Sequence, residues 1–294
     1  MGMINLSAKK GISILFMLAV CAHSNFAQPE RPQNIYRVTV NSRYVIENGE
    51  RTSKYFAINQ QFSDSLGRLH TEIDFDWETH YPKNYRWHYF NGLQKVKTDF
   101  FINEKLSRIE EFTYNNNRLA SLTQYAVSEN DTSFIVKEVY TYDSNNRIVK
   151  AEGYNIKEKK GYRAKLKYDE HGNEIYRKVK GKRLTPADSI IFLEKIIEYD
   201  SLSRISKEVI TINTANKTSK TKIFAYTYTD EGKIAERRIM DSSGKLQKRE
   251  ELTHRKDGRI QQKKIFDEND NLIDHLAWRY EIYKTSDRRH RTFE

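Results

Sequence analysis

From Asn34 onward the chain restates one short phrase. An aromatic residue is followed by Asp or Asn, two or three turn residues, Arg or Lys, then Leu or Ile and an alternating run. Clear copies are FSDSLGRL (Phe62–Leu69), FTYNNNRL (Phe112–Leu119), YTYDSNNRI (Tyr140–Ile148), KYDEHGNEI (Lys167–Ile175) and EYDSLSRI (Glu198–Ile205). YTDEGKI (Tyr228–Ile234), MDSSGKL (Met240–Leu246), RKDGRI (Arg255–Ile260) and FDENDNLI (Phe266–Ile273) continue it. The tyrosine before the turn falls at 114, 142, 168, 199 and 228, steps of 26 to 31 residues. A step of this size marks a repeat architecture, in which a unit too small to bury its own apolar face stacks on its neighbours.

The phrase has the chemistry of a β-hairpin. Asp or Asn followed by Gly or Asn tolerates the positive φ that tight hairpin turns require, as in Asn48-Gly49, Asn91-Gly92 and Asp257-Gly258. The flanks alternate. Tyr162, Ala164, Leu166 and Tyr168 are separated by Arg163, Lys165 and Lys167, and Phe224, Tyr226 and Tyr228 share a face. Period 2 argues half-buried strands rather than helices. Each long step also holds a second hairpin, turning at Ser128–Asp131 and Glu158–Gly161, for roughly 18 strands in all. Only 4 prolines occur, as a ladder of backbone hydrogen bonds demands. The expected fold is all-β: an extended antiparallel meander of β-hairpin repeats, a twisted or curled, solenoid-like sheet with a thin core. Residues 35–294 form one domain, with the clearest repeats at 62–273.

Residues 1–27 read as a secretory signal, with Lys9 and Lys10 ahead of a short apolar run, Gly11–Ala22. That run is well below the roughly 20 residues that span a bilayer. Cleavage fits after Ala22 or after Ala27, and a lesser reading makes Cys21 a lipidated residue. Residues 28–34 then form a short linker. The chain's single Cys leaves with the signal, so no disulfide framework supports the mature fold. Export places the protein in the periplasm or outside the cell, with lipoprotein anchoring as the lesser alternative. With 36 aromatics among 294 residues the chain is not a solvated coil, and its mean hydropathy of −0.83 excludes a bundle of apolar transmembrane helices.

Tyr142-Asp143…Arg147-Ile148, Tyr168-Asp169…Gly172 and Tyr199-Asp200…Arg204-Ile205 resemble the unit of the YD-repeat (Rhs) family, in which Tyr-Asp, a turn, Gly-Arg and Leu or Ile recur. The resemblance covers most of residues 62–273. The repeats are degenerate, since Gly precedes Arg only at Gly67-Arg68 and Gly258-Arg259. It implies a curved or spiralling β-shell, which in large members encloses a toxin. A shell- or immunity-like partner of a secreted toxin is therefore one functional expectation.

The sharpest local constellation is the run His70–His80. On one extended strand it would align Glu72, Asp74, Asp76 and Glu78 with His70 and His80, an inventory suited to a hard cation and to a metal-assisted hydrolase. Side chains two apart stand about 7 Å from each other, so a flat strand does not wrap an ion. The plainer reading is a solvated face paired across a hairpin turning near Pro82, with Glu78 opposite Arg86, Asp76 opposite His88 and Trp77 opposite Trp87. The net charge of +11, or +9 once Lys9 and Lys10 are removed, suits anionic envelope polymers and equally a decorated sheet surface. The repeated tyrosines are expected to pack on the Tyr and Leu or Ile of adjacent repeats. No nucleophile elbow, zinc-protease, P-loop or dinucleotide motif occurs. The first expectation is thus a non-enzymatic exported protein with a binding or scaffold role at the cell envelope and a polysaccharide or protein partner. No nucleic-acid ligand, cofactor or membrane-spanning segment of the mature chain is expected.

Overall fold

The computed structural model describes residues 36–129, 131–181, 190–214 and 218–282. The signal, Cys21, the linker, the segment around Pro186 and the basic cluster Arg288–Arg291 lie outside the described residues. Eighteen strands follow one another: β1 (Arg37–Glu47), β2 (Glu50–Ser63), β3 (Leu69–Phe75), β4 (Pro82–Asn91), β5 (Gln94–Ile102), β6 (Lys105–Asn115), β7 (Arg118–Val127), β8 (Thr132–Tyr142) and β9 (Ile148–Tyr154). They continue with β10 (Lys160–Tyr168), β11 (Glu174–Gly181), β12 (Ile190–Tyr199), β13 (Ile205–Thr214), β14 (Ser219–Tyr228), β15 (Ile234–Met240), β16 (Leu246–His254), β17 (Ile260–Asp267) and β18 (Leu272–Ile282).

Each strand pairs antiparallel with the next, as the alternating pattern requires. The expected open or solenoid-like sheet is corrected at its ends. β1 pairs with β2 and also with β18, from Arg37 opposite Ile282 to Arg43 opposite Leu276, so the meander closes into a barrel. Closure satisfies the two strand edges that an open meander would leave bare. An 18-stranded wall is also too wide for its own side chains to fill. Apart from β2 and β18, which flank β1, no two described strands that are not neighbours come within 8 Å of each other.

The repeated phrase is the device that turns the chain. In Asp143–Arg147 the carboxylate of Asp143 accepts from the backbone N–H groups of Asn145 and Arg147 (both 2.9 Å) and from Arg147 Nε (2.8 Å). Asp200 does the same for Leu202 and Arg204, and Asp64 for Leu66 and Arg68. The residue just before the base has positive φ: +77° at Gly67, but +63° at Asn146 and +58° at Ser203. The left-handed position is thus held without glycine, which is why Gly-Arg is preserved in only two copies.

The tyrosines meet the Leu or Ile of an adjacent repeat through its backbone carbonyl. Tyr142, Tyr168, Tyr228 and Tyr280 donate their hydroxyls to the carbonyls of Leu119, Ile148, Ile205 and Ile260 at 2.7–2.9 Å. The base of the preceding turn lies over the ring: Arg147 over Tyr168 (4.8 Å), Arg204 over Tyr228 (4.4 Å) and Arg259 over Tyr280 (4.3 Å). Each aspartate therefore orients an arginine that covers the next tyrosine, and the tyrosine ties back to the carbonyl following that arginine. Unit is clamped to unit at one rim.

Candidate functional site

Register assigns every strand residue to one of two continuous faces. Along β8 and β10 one face is buried, with Val136, Tyr162 and Ala164, while Lys137, Arg163 and Lys165 between them are exposed. Cross-strand pairing carries that buried face round the wall through Gly153, Ala151, Ile197, Glu208, Glu250 and Leu276. It continues through Gln61, Glu72, Arg86 and Glu110, where a cavity of about 690 Å³ opens on it. This is the inner face. On β1–β4 the outward face is buried as well: Val38, Val40, Phe62, Ile73, Phe75 and Tyr85 form one apolar cluster there.

The inner face carries hydrogen-bonded charge clusters rather than a continuous apolar surface. On β3–β6, Arg86 reaches Glu72 (3.1 Å) and Asp74 (2.8 Å). Asn59 donates to Asp74 (2.7 Å). His88 bridges Glu72 Oε1 (3.1 Å) and the fully buried Thr98 Oγ1 (3.0 Å). The hydrogen bond from His88 outweighs burial and, with the Arg86 charge, holds the Glu72 carboxyl down at about 2. Three strands on from Glu72, burial pushes Glu110 up despite Arg108, Lys95 and His88 nearby. Between β8 and β10, Glu138 accepts from both Tyr140 (2.8 Å) and Tyr162. Burial, reinforced by Glu138, raises the Tyr140 hydroxyl.

A second cluster lies on β12–β17. Glu208 binds Lys195 and accepts from Tyr226 (2.6 Å), and Glu250 binds Arg237 (2.7 Å) with Lys263 at 3.8 Å. Burial penalises the Glu208 carboxylate, but Lys195 and Tyr226 outweigh it and its pKa is lowered. These groups lock one another across strands; among the described residues no cluster has the composition of a metal site.

The His70–His80 run is split. β3 stops at Phe75, and Asp76 caps the turn by accepting from the N–H groups of Glu78 and Thr79 (3.0 Å each) while binding Lys83 (2.9 Å). Pro82, without an N–H, opens β4. The hairpin register is consequently Glu72 opposite Arg86 and Thr71 opposite Trp87, not the pairing read around Pro82. Glu72 and Asp74 face the lumen together. Asp76 and Glu78 stand apart from them in the turn. The roles of Thr98, Arg108 and Glu110 carried no sequence signal, because residues from four strands meet there only through register.

No family model matches the chain, and no curated protein matches it. Among solved structures it is similar to a porin-like protein from Bacteroides uniformis, at a TM-score of 0.42 and 10% identity over 85% of this chain and 98% of that one. A porin-like protein from Bacteroides vulgatus gives 0.38 and 9% over 84% and 98%. The Tc holotoxin pore of Photorhabdus luminescens gives 0.21 and 8% over 81% of this chain and 18% of that one. Barrel closure is read from the β1–β18 pairing, not from these likenesses.

The outward face decides what can surround the wall. Glu152 stands beside Arg163, with Lys160 at 2.5 Å and Lys150 at 2.6 Å. Lys165 pairs with Lys178, which binds Glu194 (3.0 Å), and Arg238 lies opposite Arg249. A lipid-facing barrel needs an apolar band about 25 Å tall, and each Lys or Arg at its midplane costs about 2–4 kcal/mol. Mid-strand charge on β9–β17 departs from such a band.

The carboxylates set an acid limit. Burial acts against the charged form of Asp64, yet hydrogen bonds from His70 and Arg68 bring it from 3.8 to about 2. A depressed folded-state pKa gives stability that is complete above the unfolded value and lost as pH falls through the folded one. Asp64 alone contributes on the order of 2 kcal/mol. Thermal melts are expected to hold level down to about pH 4.5 and then fall steeply towards pH 2. Asp64→Asn should melt lower at pH 7 and show a shallower acid limb. An acid limb unchanged by this substitution would refute the assignment.

Proposed function

We propose that this protein is an exported, non-enzymatic β-barrel that stands in water at the cell envelope and binds a polysaccharide or protein partner there. The observation that carries the reading is the charge on both faces of a closed wall: ion pairs outside on β9–β17, and hydrogen-bonded polar clusters inside. Such a wall resists lipid on one side and holds a hydrated lumen on the other. The signal at 1–27 supplies export, and the YD-like phrase supplies a rigid repeat scaffold. Binding belongs to the lumen, where the cavity lies.

The leaderless protein is expected to be monodisperse without detergent and to appear in the periplasmic or medium fraction of expressing cells. It should produce no conductance steps in a planar bilayer, and immobilised protein should retain a polysaccharide or protein from envelope extract at physiological salt. Recovery only in detergent, with stepwise conductance, would overturn the aqueous reading. An extract that leaves nothing on the immobilised protein would overturn the binding role.

A further inference from the structure

The lumenal clusters differ in how completely their cations are matched. Arg86 is taken by Glu72 and Asp74, and Arg237 by Glu250. At the β5–β6 end of the cavity the balance fails. Among the described residues Arg108 approaches only Glu110, at a loose 3.6 Å, and its Nε, like that of Arg237, has no hydrogen-bond partner. Its guanidinium carbon lies over Phe100, 3.8 Å from the ring centre. Lys95 sits 4.5 Å over the Phe112 ring, and no described carboxylate lies within ion-pair distance of it. Both cations line the same cavity with two carboxylates, Glu110 and Asp74, the latter already bound to Arg86. Glu110 in turn accepts from Gln124 (3.0 Å), which occupies one of its oxygens.

A bulge lies beside this opening. Pairing slips between Phe100 and Phe101, so that Arg108 lies opposite Phe100 but Leu106 lies opposite Phe101, and Ser107 is the extra residue. Ser107 donates to the carbonyl of Phe100 (3.1 Å) and keeps its oxygen free to accept at the cavity. A bulge of this kind re-aims side chains where a ladder would otherwise be regular. The volume, about 690 Å³, is that of a small-molecule cleft.

We propose that this cavity binds a small carboxylate-bearing ligand, with Arg108 and Lys95 as its anion-binding residues and Asn84 and Ser107 offering hydrogen bonds to its polar substituents. An arginine fixed by stacking presents a planar fork that matches a carboxylate, and a lysine beside it adds a mobile charge. The proposal deepens the binding role above and rests on the lumen being its site. Two sources supply this chemistry: an acidic sugar, or a free di- or tricarboxylic acid.

The test is isothermal titration of the leaderless protein with trigalacturonate, citrate and neutral maltotriose at low and physiological salt. Trigalacturonate or citrate is expected to bind, more weakly as salt rises, and maltotriose is not. Binding of the first alone identifies a sugar acid; binding of the second alone, a free acid. Arg108→Gln and Lys95→Gln should each weaken the bound ligand at least tenfold, whereas Lys178→Gln on the outer face should leave it unchanged. A far-ultraviolet spectrum and melt matching wild type show that a variant is folded. Where Arg108→Gln does not fold, Lys95→Gln carries the test. Equal affinity in wild type and the lumenal variants, or preference for maltotriose, overturns the site. If envelope extract yields a ligand whose retention ignores both substitutions, the site fails while the broader binding role stands.

Discussion

Proline at Thr39 and proline at Val40 are each expected to destabilise the protein by about 1–3 kcal/mol, because each deletes a ladder donor and leaves a carbonyl unpaired, and the pair of results together tests closure. In an antiparallel sheet the N–H groups of consecutive residues point to opposite neighbours. Were β1 the edge of an open meander, one of these two positions would turn its N–H to water and accept proline readily. In the barrel Thr39 lies between Gln61 of β2 and Tyr280 of β18, and Val40 between Gln60 and Arg279. Both positions therefore lose a ladder bond, whichever way each N–H points. Val40 is also buried, so Thr39→Ala and Val40→Ala are the references against which each proline is read. Thermal unfolding followed by circular dichroism measures the difference. A proline variant at either position that melts with its alanine reference would mean that β1 has a free edge, and the barrel would have to be abandoned.

The strands were legible because their information is local. Tyr162-Arg163-Ala164-Lys165-Leu166 states its own alternation, and the structure buries and exposes those residues in that order. Turn positions followed wherever Asp and a positive-φ residue stood in the phrase. They failed where a different cap won: Asp76 gathers the N–H groups of Glu78 and Thr79, which moves the hairpin away from Pro82 and shifts the whole register of β3 on β4. The second hairpin of the β9–β10 unit likewise turns earlier than read, with Asn155 N donating to Glu158's neighbour Lys159 through its carbonyl (3.0 Å). Closure had no local signal. Asn41 opposite Trp278 and Arg43 bound to Asp274 (3.1 Å) are ordinary sheet contacts between residues more than 230 positions apart. What brings them together is the summed twist and curvature of seventeen preceding pairings, a quantity no single copy of the phrase displays. The same reason hid the lumenal cavity, whose lining is drawn from β3, β4, β5 and β6.

The composition of the two faces follows from that geometry. A repeat that alternates strictly would put all apolar side chains on one side, yet here the inner face gathers Val136, Ala151, Tyr162 and Ala164 around Glu138 on β8–β10 and is polar on β3–β6, while on β1–β4 the outer face takes the apolar cluster of Val38, Phe62 and Ile73. A closed wall with a wide lumen permits this exchange, because neither face has to fill a core. Among the described residues only His275 and Thr98 have side chains less than 2% exposed. Stability then depends on contacts within the wall, strand against strand, more than on packing across it.

Gly153→Ala is expected to be a strongly damaging small substitution for that reason. Tyr162 of β10 lies flat across the Gly153 backbone of β9 so that its hydroxyl reaches Glu138 on β8, joining three strands with one side chain. A Cβ at 153 would stand 2.1 Å from the ring's Cε1 and 2.6 Å from Cζ, inside any real contact. The ring is only 4% exposed and has no open side to retreat to. Displacing it overpacks the wall, at about 1–3 kcal/mol, and breaks a hydrogen bond to a carboxylate, at about 1.5–3 kcal/mol, so a total near 3–4 kcal/mol is expected. The alternative cause, a lost backbone freedom, predicts the opposite sign, since alanine is favoured over glycine in a strand by about 0.5–1 kcal/mol. The double variant separates the two. Tyr162→Ala alone should cost about 3–5 kcal/mol through the void it leaves, and adding Gly153→Ala to it should then cost nothing or recover a little. Chemical denaturation of the four proteins gives the coupling directly. Additive losses would mean that Gly153 is required by its backbone rather than by the tyrosine laid over it.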